Sequence, residues 1–363
     1  MTEDKGILIK NIYYMLTYAF QVLRQTNYEE IASEQFDEIQ DLFAAILSKG
    51  IGQQLKQGLQ REYISVRETR TSLRGKIDMP ETVKNRIQHK RIISCEYDEL
   101  SENNLMNQIL KTTADILLRS NGVTAEHKNS LKKVLLFFDG IDTLEPSSIQ
   151  WNRIQIQRSN KSYEMLINIC YFVIDGMLQT TDKGNYRMAQ FSDEHMARLY
   201  ERFVLEYYRH HHKELSASAG QVKWNLSNDS EESAIKYLPT MQTDIMLKNK
   251  EHTQTLIIDT KYYTRTMQSQ FDTYSYHSGN LYQIFTYVKN QEANEAGNVS
   301  GMLLYAKTGE SITPNAEFMM SGNKISVKTL DLNLHFSQIA AQLDKIATEH
   351  FGKDRSDIKK MSR

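Results

Sequence analysis

Apolar residues recur at helical spacing along the first half of the chain. Positions 12, 15, 16, 19, 20 and 23 predict a helix with one wide apolar face, and Asn11 stands where it can cap the start. The same spacing predicts helices over residues 105–117, 125–138 and 166–178. Pro146 and the serines after it interrupt the pattern, which indicates a connection between domains near residue 160. We therefore expect a mainly helical first domain, residues 1–160.

A segment with a different pattern lies inside this domain. Residues 59–79 alternate apolar and polar side chains and are rich in Arg and Thr, which predicts strands with a bend at Arg74-Gly75-Lys76. Residues 95–103 are polar and predict a loop that leads into the next helix. The first domain is therefore expected to be helical with an inserted β segment.

The second half of the chain mixes helices with strands. A helix is predicted from Met196 to Tyr207, followed by an alternating strand over residues 241–247 and an apolar one over 256–258. The polar residues between these strands predict a hairpin turn. A helix, a strand and a last helix are predicted over residues 280–290, 300–305 and 334–349. This order predicts an α/β (α+β) domain, residues 161–350, and then a disordered basic tail, residues 351–363.

Composition narrows the class of protein. A length of 363 residues suggests two domains, and a net charge of −1 gives no overall attraction to nucleic acid. Cys95 and Cys170, the two cysteines, are far apart and lack metal-ligand spacing, which indicates thiols in a reducing compartment. The sequence has no run of about eighteen apolar residues and no signal peptide at its start. We expect a soluble, cytoplasmic protein with no membrane partner.

The β segment is locally basic. Residues 61–91 contain nine Lys and Arg residues and four acids, so this stretch carries about +5. Arg67, Arg70, Arg74 and Lys76 are the candidates for contact with DNA or with a partner, because such a segment suits a phosphate backbone or an acidic protein channel. The alternative is a surface hairpin with exposed arginines.

The candidate chemistry lies on the predicted hairpin. Asp244 is on its first strand, and the second strand ends in Asp259-Thr260-Lys261, where the side-chain period of two puts Asp259 and Lys261 on one face. Two carboxylates are suitable ligands for Mg²⁺, the main-chain carbonyl of Thr260 is a further candidate ligand, and Lys261 could orient a metal-bound water. The alternative is chance, since a loose D-x₁₄-D-x-K pattern is common.

Three more side chains are candidates for the same site. Gln283 and Tyr287 are four residues apart on a predicted helix and therefore share a face. Glu201 lies one residue from the apolar face of its helix, so it either turns towards a site or is a solvated surface acid. The sequence alone leaves both readings open.

Several stretches together resemble a known family. PTMQTDI, LIIDTKYY and HSGNLYQIFTYV are similar to the PD-(D/E)xK nuclease core of McrC-type subunits of modification-dependent restriction systems. IKNIYYMLTYAF, RGKIDM, YDELSENNLMNQILK, LYERFV and GNYRMAQF also resemble that family. The resemblance covers nearly the whole chain.

The resemblance implies both a partner and a site. McrC-type subunits join an McrB-type AAA+ GTPase that forms hexameric rings, stimulate its GTP hydrolysis and supply the nuclease. Carried over by motif, the catalytic positions are Asp244, Asp259 and Lys261. Gln283 and Tyr287 match an accessory Q-xxx-Y element, and Glu201 stands where related folds place a metal-orienting acid. The family's usual proline is five residues before Asp244, as Pro239, and not adjacent to it, so it is expected to be structural.

The expected function is that of a Mg²⁺-dependent DNA endonuclease subunit in a GTP-driven restriction complex directed at 5-methylcytosine in double-stranded DNA. The sequence contains no G-x-x-x-x-G-K-[ST] motif, so GTP is expected to be used by the partner and not bound by this chain. Three alternatives remain at this point. They are a non-catalytic activator of an AAA+ GTPase, a restriction subunit that cuts unmodified sites, and a stand-alone repair nuclease.

Overall fold

The protein divides into two compact units. The computed structural model describes residues 3–4, 7–19, 31, 34, 36–154, 161–180, 186–188, 193–227, 229–262, 267–270, 273–295, 297–307 and 313–352. One unit, here called the terminal unit, combines Met1–Ile39 with Ala189–Arg363, and the other, the middle unit, is Gln40–Met188. Residues 353–363 of the expected tail lie outside the described residues.

The described helices and strands follow a mixed order. The helices are α1 (Ile9–Ala19), α2 (Ile39–Gln57), α3 (Met79–Ile87), α4 (Leu105–Arg119), α5 (Ala125–Leu135), α6 (Lys161–Met177), α7 (Asp193–His211), α8 (Glu232–Ile235), α9 (Ser278–Asn294) and α10 (Phe336–Phe351). The strands are β1 (Glu3–Asp4), β2 (Ile7–Leu8), β3 (Glu62–Arg70), β4 (Lys76–Ile77), β5 (Ile93–Ser101), β6 (Leu178–Thr180), β7 (Tyr186–Met188), β8 (Ser216–Ser218), β9 (Gln221–Val222), β10 (Met241–Gln242), β11 (Ile245–Lys248), β12 (Gln254–Lys261), β13 (Gln268–Gln270), β14 (Thr273–Ser275), β15 (Asn298–Ala306), β16 (Ala316–Met320) and β17 (Asn323–Leu330).

This division differs from the expected boundary near residue 160. Helix α1 groups with the terminal unit because it packs against α7, where Tyr18 contacts the ring of Phe203. Asn11 lies inside α1 and does not cap it; its side-chain amide instead donates to the carbonyl of Leu332 at 2.6 Å. Helix α6 groups with the middle unit because it packs against α4. Both groupings depend on contacts between distant parts of the chain.

The middle unit contains packed helices and a small sheet. Its buried residues on α2 and α4 include Phe43, Ile46, Ile109 and Leu110. The sheet has the order β3-β5-β4 and is antiparallel throughout. The strands predicted over residues 59–79 are confirmed, whereas the loop predicted over 95–103 is wrong, because most of that stretch is the central strand β5.

The terminal unit is built on a six-stranded mixed sheet. Its order is β16-β17-β15-β12-β11-β8, with the neighbours β12, β15 and β17 parallel and the other pairs antiparallel. Strand β12 lies inside the sheet between β11 and β15, and its residues 255–260 are all buried. The predicted hairpin, and the strand covered on both faces within it, are therefore confirmed.

Helix α9 packs closely on this sheet. Ile257 of β12 and Leu303 of β15 share a core cluster with Ile284 and Val288 of α9. At Gly301 of β15, an added Cβ would lie 2.7 Å from Ile284 and 2.8 Å from Val288. The glycine therefore lets α9 approach β15, which sets the position of the helix over the end of β12.

In the described part of the chain, no helix is both long enough and apolar enough to cross a membrane.

Candidate active site

Asp244 and Asp259 meet at the end of the β11–β12 pairing. The two strands pair antiparallel, and the last paired residues on this side are Ile245 and Ile258. Continuing the register by one residue sets Asp244 opposite Asp259. Strand β12 continues to Lys261, paired with β15, while Asp244 stands at a bend before β11. The two carboxylates therefore lie together, as predicted from the sequence.

Thr260 holds the carboxylate of Asp244. The backbone N–H and the hydroxyl of Thr260 both donate to Asp244 Oδ2, each at 2.7 Å. Because β11 does not extend past this point, the aspartate side chain takes the place of a strand partner for the Thr260 N–H. The sequence reading gave Thr260 a role only through its carbonyl, and that role as a metal ligand stays a prediction.

Asp259 is buried and faces a lysine on its own strand. Only 1% of Asp259 is exposed, and Lys261 Nζ lies 2.8 Å from its Oδ2. Burial, and then the charge of Asp244, raise the pKa of Asp259 to about 6, while Lys261 opposes this rise. The Lys261 ammonium is within hydrogen-bonding distance of this oxygen and offsets part of the cost of burying its charge. A buried carboxylate in this situation is suited to a cation.

Lys261 is linked to α9 through two side chains. Its ammonium donates to Gln283 Oε1 at 3.1 Å, and Gln283 Nε2 donates to the hydroxyl of Tyr287 at 2.9 Å. The shared face predicted for Gln283 and Tyr287 is therefore present, and it is directed at the end of β12. Because an amide with one oxygen and one NH₂ joins the lysine to the tyrosine, the position of the ammonium is coupled to that of α9.

Glu201 belongs to the same electrostatic cluster. It lies on α7, which packs against β12, and it is partly buried. Burial first, and then the charges of Asp244 and Asp259, raise the pKa of Glu201 to about 7; Arg198 and Lys261 act in the opposite direction. Glu201 is therefore close enough to both aspartates for their charges to affect it, and its role as a metal-orienting acid stays a prediction.

The residues present fit Mg²⁺. Asp244 and Asp259 supply hard oxygen ligands, and Mg²⁺ in proteins is commonly bound through one or two carboxylates together with waters and substrate phosphates. Within the described ranges, no group of three or more His, Cys, Asp or Glu side chains is arranged to hold a metal by itself. The donor set therefore suits an ion that completes its coordination with water and phosphate oxygens. It does not suit a closed structural metal site.

Pro239 has a structural contact, as expected. Its carbonyl accepts a hydrogen bond from the indole N–H of Trp224 at 2.8 Å. This contact ties the segment before β10 to the residues that follow β9, which pairs with β10.

The net charge of residues 61–91 is higher than that of the whole sheet, because β5 adds acidic residues. Arg67 is ion-paired with Glu96 and Arg74 with Glu99, each at 3.4 Å, across to β5. Arg70 pairs with Glu68 on its own strand. Extending the count to residue 102 gives nine bases and eight acids, a balance of +1. Contacts of Arg67, Arg70, Arg74 and Lys76 with DNA or a partner stay a prediction.

Sequence reasoning missed an apolar surface in the middle unit. Helix α3 faces β5 with polar side chains: Asn85 donates to Ser94 Oγ at 3.0 Å, and Ser94 N–H donates to Thr82 Oγ1 at 3.0 Å. Its apolar side chains, spaced four residues apart, are exposed instead. We call residues 62–101, which contain β3, β4, α3 and β5, the sheet module. Its exposed large apolar residues are Tyr63, Ile64, Leu73, Met79, Val83, Ile87 and Leu100. The i, i+4, i+8 spacing of 79, 83 and 87 was the available signal.

Comparisons with known proteins agree with this picture. The curated protein described as "Type IV methyl-directed restriction enzyme EcoKMcrBC", from Escherichia coli (strain K12), is 27% identical over 354 residues, which is 96% of this chain and 99% of that one. A solved structure described as "Refined half-complex from tetradecameric assembly of Thermococcus gammatolerans McrB AAA+ hexamers with bound McrC" matches with a TM-score of 0.51 and 18% identity. That match covers 93% of this chain and 76% of the other, and at such low identity it concerns the fold.

A family match covers both units. Residues 3–306 match the family described as "McrBC 5-methylcytosine restriction system component". This range includes the sheet module and every candidate site residue, from Glu201 to Tyr287. The chain belongs to the McrBC 5-methylcytosine restriction system component family.

Proposed function

We propose that this chain is the nuclease subunit of a GTP-dependent, methyl-directed restriction complex, and that it hydrolyses phosphodiester bonds of DNA with Mg²⁺. The observation that carries the proposal is the arrangement at the end of β12. Asp244 and Asp259 are opposed, and Lys261 is placed between Asp259 and Gln283. The direction of this complex towards 5-methylcytosine is inferred from the family.

Each side chain has a task in this hydrolysis. Bound Mg²⁺ would lower the pKa of a water and offset charge on the phosphate under attack. Asp244 and Asp259 would hold the ion, with Glu201 as a third acid near it. Lys261 places a positive charge beside the reacting phosphate, where it stabilises the developing anion. Gln283 and Tyr287 keep that charge in position through α9.

The partner is proposed to be an McrB-type AAA+ GTPase hexamer. The Thermococcus gammatolerans structure is described as McrB AAA+ hexamers with bound McrC, and the fold of this chain is similar to a chain in that assembly. The absence of a P-loop motif from the sequence agrees with GTP being bound by the partner.

The sheet module is proposed to meet this partner. Helix α3 packs by its polar side and exposes Met79, Val83 and Ile87. Contact of these apolar side chains with water is unfavourable unless a second surface covers them. On β3, Tyr63 is 74% exposed and stands opposite Leu100 of β5, which is also exposed. The ion pairs of Arg67 and Arg74 with β5 lower the charge of this surface, which favours a protein partner over bare phosphate.

Cleavage by variants assayed with the partner GTPase tests the proposed function. Asp244→Ala, Asp259→Ala and Lys261→Ala are each expected to reduce DNA cleavage by about a hundredfold or more, with GTPase stimulation kept. Lys248→Ala is the matched control, because Lys248 forms its ion pair with Glu295, away from this cluster. Full cleavage by all three variants would overturn the site.

One alternative is favoured by a specific observation. The exposed apolar surface of the sheet module suits a protein that only activates an AAA+ GTPase, and such a role needs no nuclease site. A wild-type chain that stimulates the GTPase while the complex leaves DNA intact would support this activator.

A further inference from the structure

Thr260 makes two hydrogen bonds to one oxygen atom. Its backbone N–H and its hydroxyl both donate to Asp244 Oδ2 at 2.7 Å. A carboxylate oxygen has two lone pairs, so these two donors satisfy Oδ2, and neither occupies Oδ1. The backbone donor would persist with any residue except proline at position 260. The hydroxyl donor requires Thr or Ser.

Asp244 and Thr260 differ in whether strand pairing fixes their backbone. Asp244 lies at a bend outside β11, where no strand pairing fixes it. Thr260 lies within β12, is 9% exposed and pairs with Leu304 of β15. A β-branched side chain in a strand has a restricted χ1, so the hydroxyl is a fixed donor. Two hydrogen bonds to one oxygen atom therefore orient the carboxylate of Asp244.

We propose that Thr260 is a positioning residue for DNA cleavage, and that its hydroxyl holds Asp244 Oδ2 so that Oδ1 is presented to the divalent cation. The inference rests on the proposed function, because it assumes that Asp244 binds a metal. Partners that orient metal ligands typically change metal affinity by about 10–100-fold when they are removed. The assignment differs from the expected role of Thr260, which was through its carbonyl alone.

A purely structural role makes a different prediction. If the hydroxyl only joined the end of β11 to β12, its loss would lower the melting temperature and leave metal affinity unchanged. A positioning role predicts weaker metal binding by a chain that is still folded. Metal affinity is therefore the readout that separates the two roles.

Variants of Thr260 that differ only at the hydroxyl test the inference. Thr260→Val keeps the branched shape and removes the donor, whereas Thr260→Ser keeps the donor. Thr255→Val is the matched control, since Thr255 is a buried threonine of the same strand, five residues away and at the other end of β12. Mn²⁺ binding to the full chain is measured by isothermal titration calorimetry, with a thermal melt of each variant. The Mg²⁺ dependence of cleavage is measured with the partner present.

Thr260→Val is expected to weaken Mn²⁺ binding and raise the half-saturating Mg²⁺ concentration by about tenfold. Thr260→Ser is expected to restore both values, and Thr255→Val to leave them unchanged. Unchanged Mn²⁺ affinity in Thr260→Val, or a loss that serine does not restore, would overturn the inference while wild-type cleavage stands. A wild-type chain that neither binds Mn²⁺ nor supports cleavage would overturn the proposed function itself.

Discussion

Lys261 Nζ lies 2.8 Å from Asp259 Oδ2, two residues earlier on the same strand. The alternation of a strand puts both side chains on one face, and the same ammonium reaches Gln283 on α9. Lysine thereby supplies the positive charge that faces a buried carboxylate. The remaining charges of the cluster, Asp244 and Glu201, are negative, so the cluster carries net negative charge and should respond to pH.

The first prediction concerns stability. The pKa of Asp259 is raised from its ordinary 3.8 to about 6 in the folded chain, so the folded state binds more protons than the unfolded state between those values. The contribution of Asp259 to the free energy of unfolding is fully present below pH 3.8 and is lost as the pH rises through about 6. Asp259→Asn removes the charge and is therefore expected to raise the melting temperature at pH 8 more than at pH 5. Thermal melts at both values check this. An equal change at both would contradict the assigned shift.

The second prediction concerns the pH dependence of cleavage. Glu201 has a pKa of about 7 and Asp259 one of about 6, and the proposed Mg²⁺ binding is favoured when both are ionised. Cleavage is expected to rise with pH through this window. Because Glu201→Gln removes the group that ionises last, its cleavage, though weaker, should reach its plateau at lower pH. Rates between about pH 5.5 and 8 measure this, with partner GTPase activity followed in parallel as the control.

The third prediction concerns Tyr287. Tyr287→Phe keeps the ring in the core cluster and removes the hydroxyl that accepts from Gln283, so Gln283 and Lys261 lose one support. Cleavage is expected to fall by about three- to tenfold, the equivalent of one neutral hydrogen bond. Tyr282→Phe is the matched control, because Tyr282 is an exposed tyrosine on the same helix. Equal cleavage rates for the two variants would show that the Tyr287 hydroxyl does not help to position Gln283 and Lys261.

The fourth prediction concerns the approach of α9 to the sheet. A methyl group at Gly301 would meet Ile284 and Val288 at less than 3 Å, so Gly301→Ala is expected to cost about 1–3 kcal/mol of stability. Gly279→Ala, also in this region but with open space around the added atom, should cost little or nothing. Urea unfolding of both variants measures the difference. Equal stability would show that α9 can shift without cost.

The fifth prediction concerns the sheet module. Replacing Met79, Val83 and Ile87 together by serine removes an exposed apolar stripe, so the melting temperature should hold while stimulation of the partner GTPase falls. Replacing Leu136 and Phe137, which are also exposed in the middle unit, is the control. A loss of stimulation from the control alone would place the contact elsewhere.

The hairpin of the candidate site was predictable because its signals are local. Alternation over residues 241–247, the apolar run at 256–258 and a polar turn between them specify two paired strands. The same period puts Asp259 and Lys261 on one face, and the four-residue spacing of Gln283 and Tyr287 puts both on one side of a helix. Local periodicity was sufficient for these features.

Strand β5 and the hydroxyl of Thr260 were not predictable in this way. Glu96, Asp98 and Glu99 hide the alternation of β5, which buries few apolar side chains. Glu96 pairs with Arg67 of β3, and Glu99 pairs with Arg74 in the turn between β3 and β4. The bond from Thr260 to Asp244 depends on β11 pairing no further than Ile245, a fact of tertiary structure. The grouping of α1 with the terminal unit depends equally on partners hundreds of residues away.

The bond from Asn11 to the carbonyl of Leu332 joins residues 321 positions apart. During synthesis, this contact cannot form until residue 332 has left the ribosome, whereas the middle unit, all of whose residues emerge earlier, can fold first. Contacts of such large sequence separation also form slowly once both ends are present. The order of synthesis would thus complete the middle unit, which contains the sheet module, before the unit that contains Asp244 and Asp259.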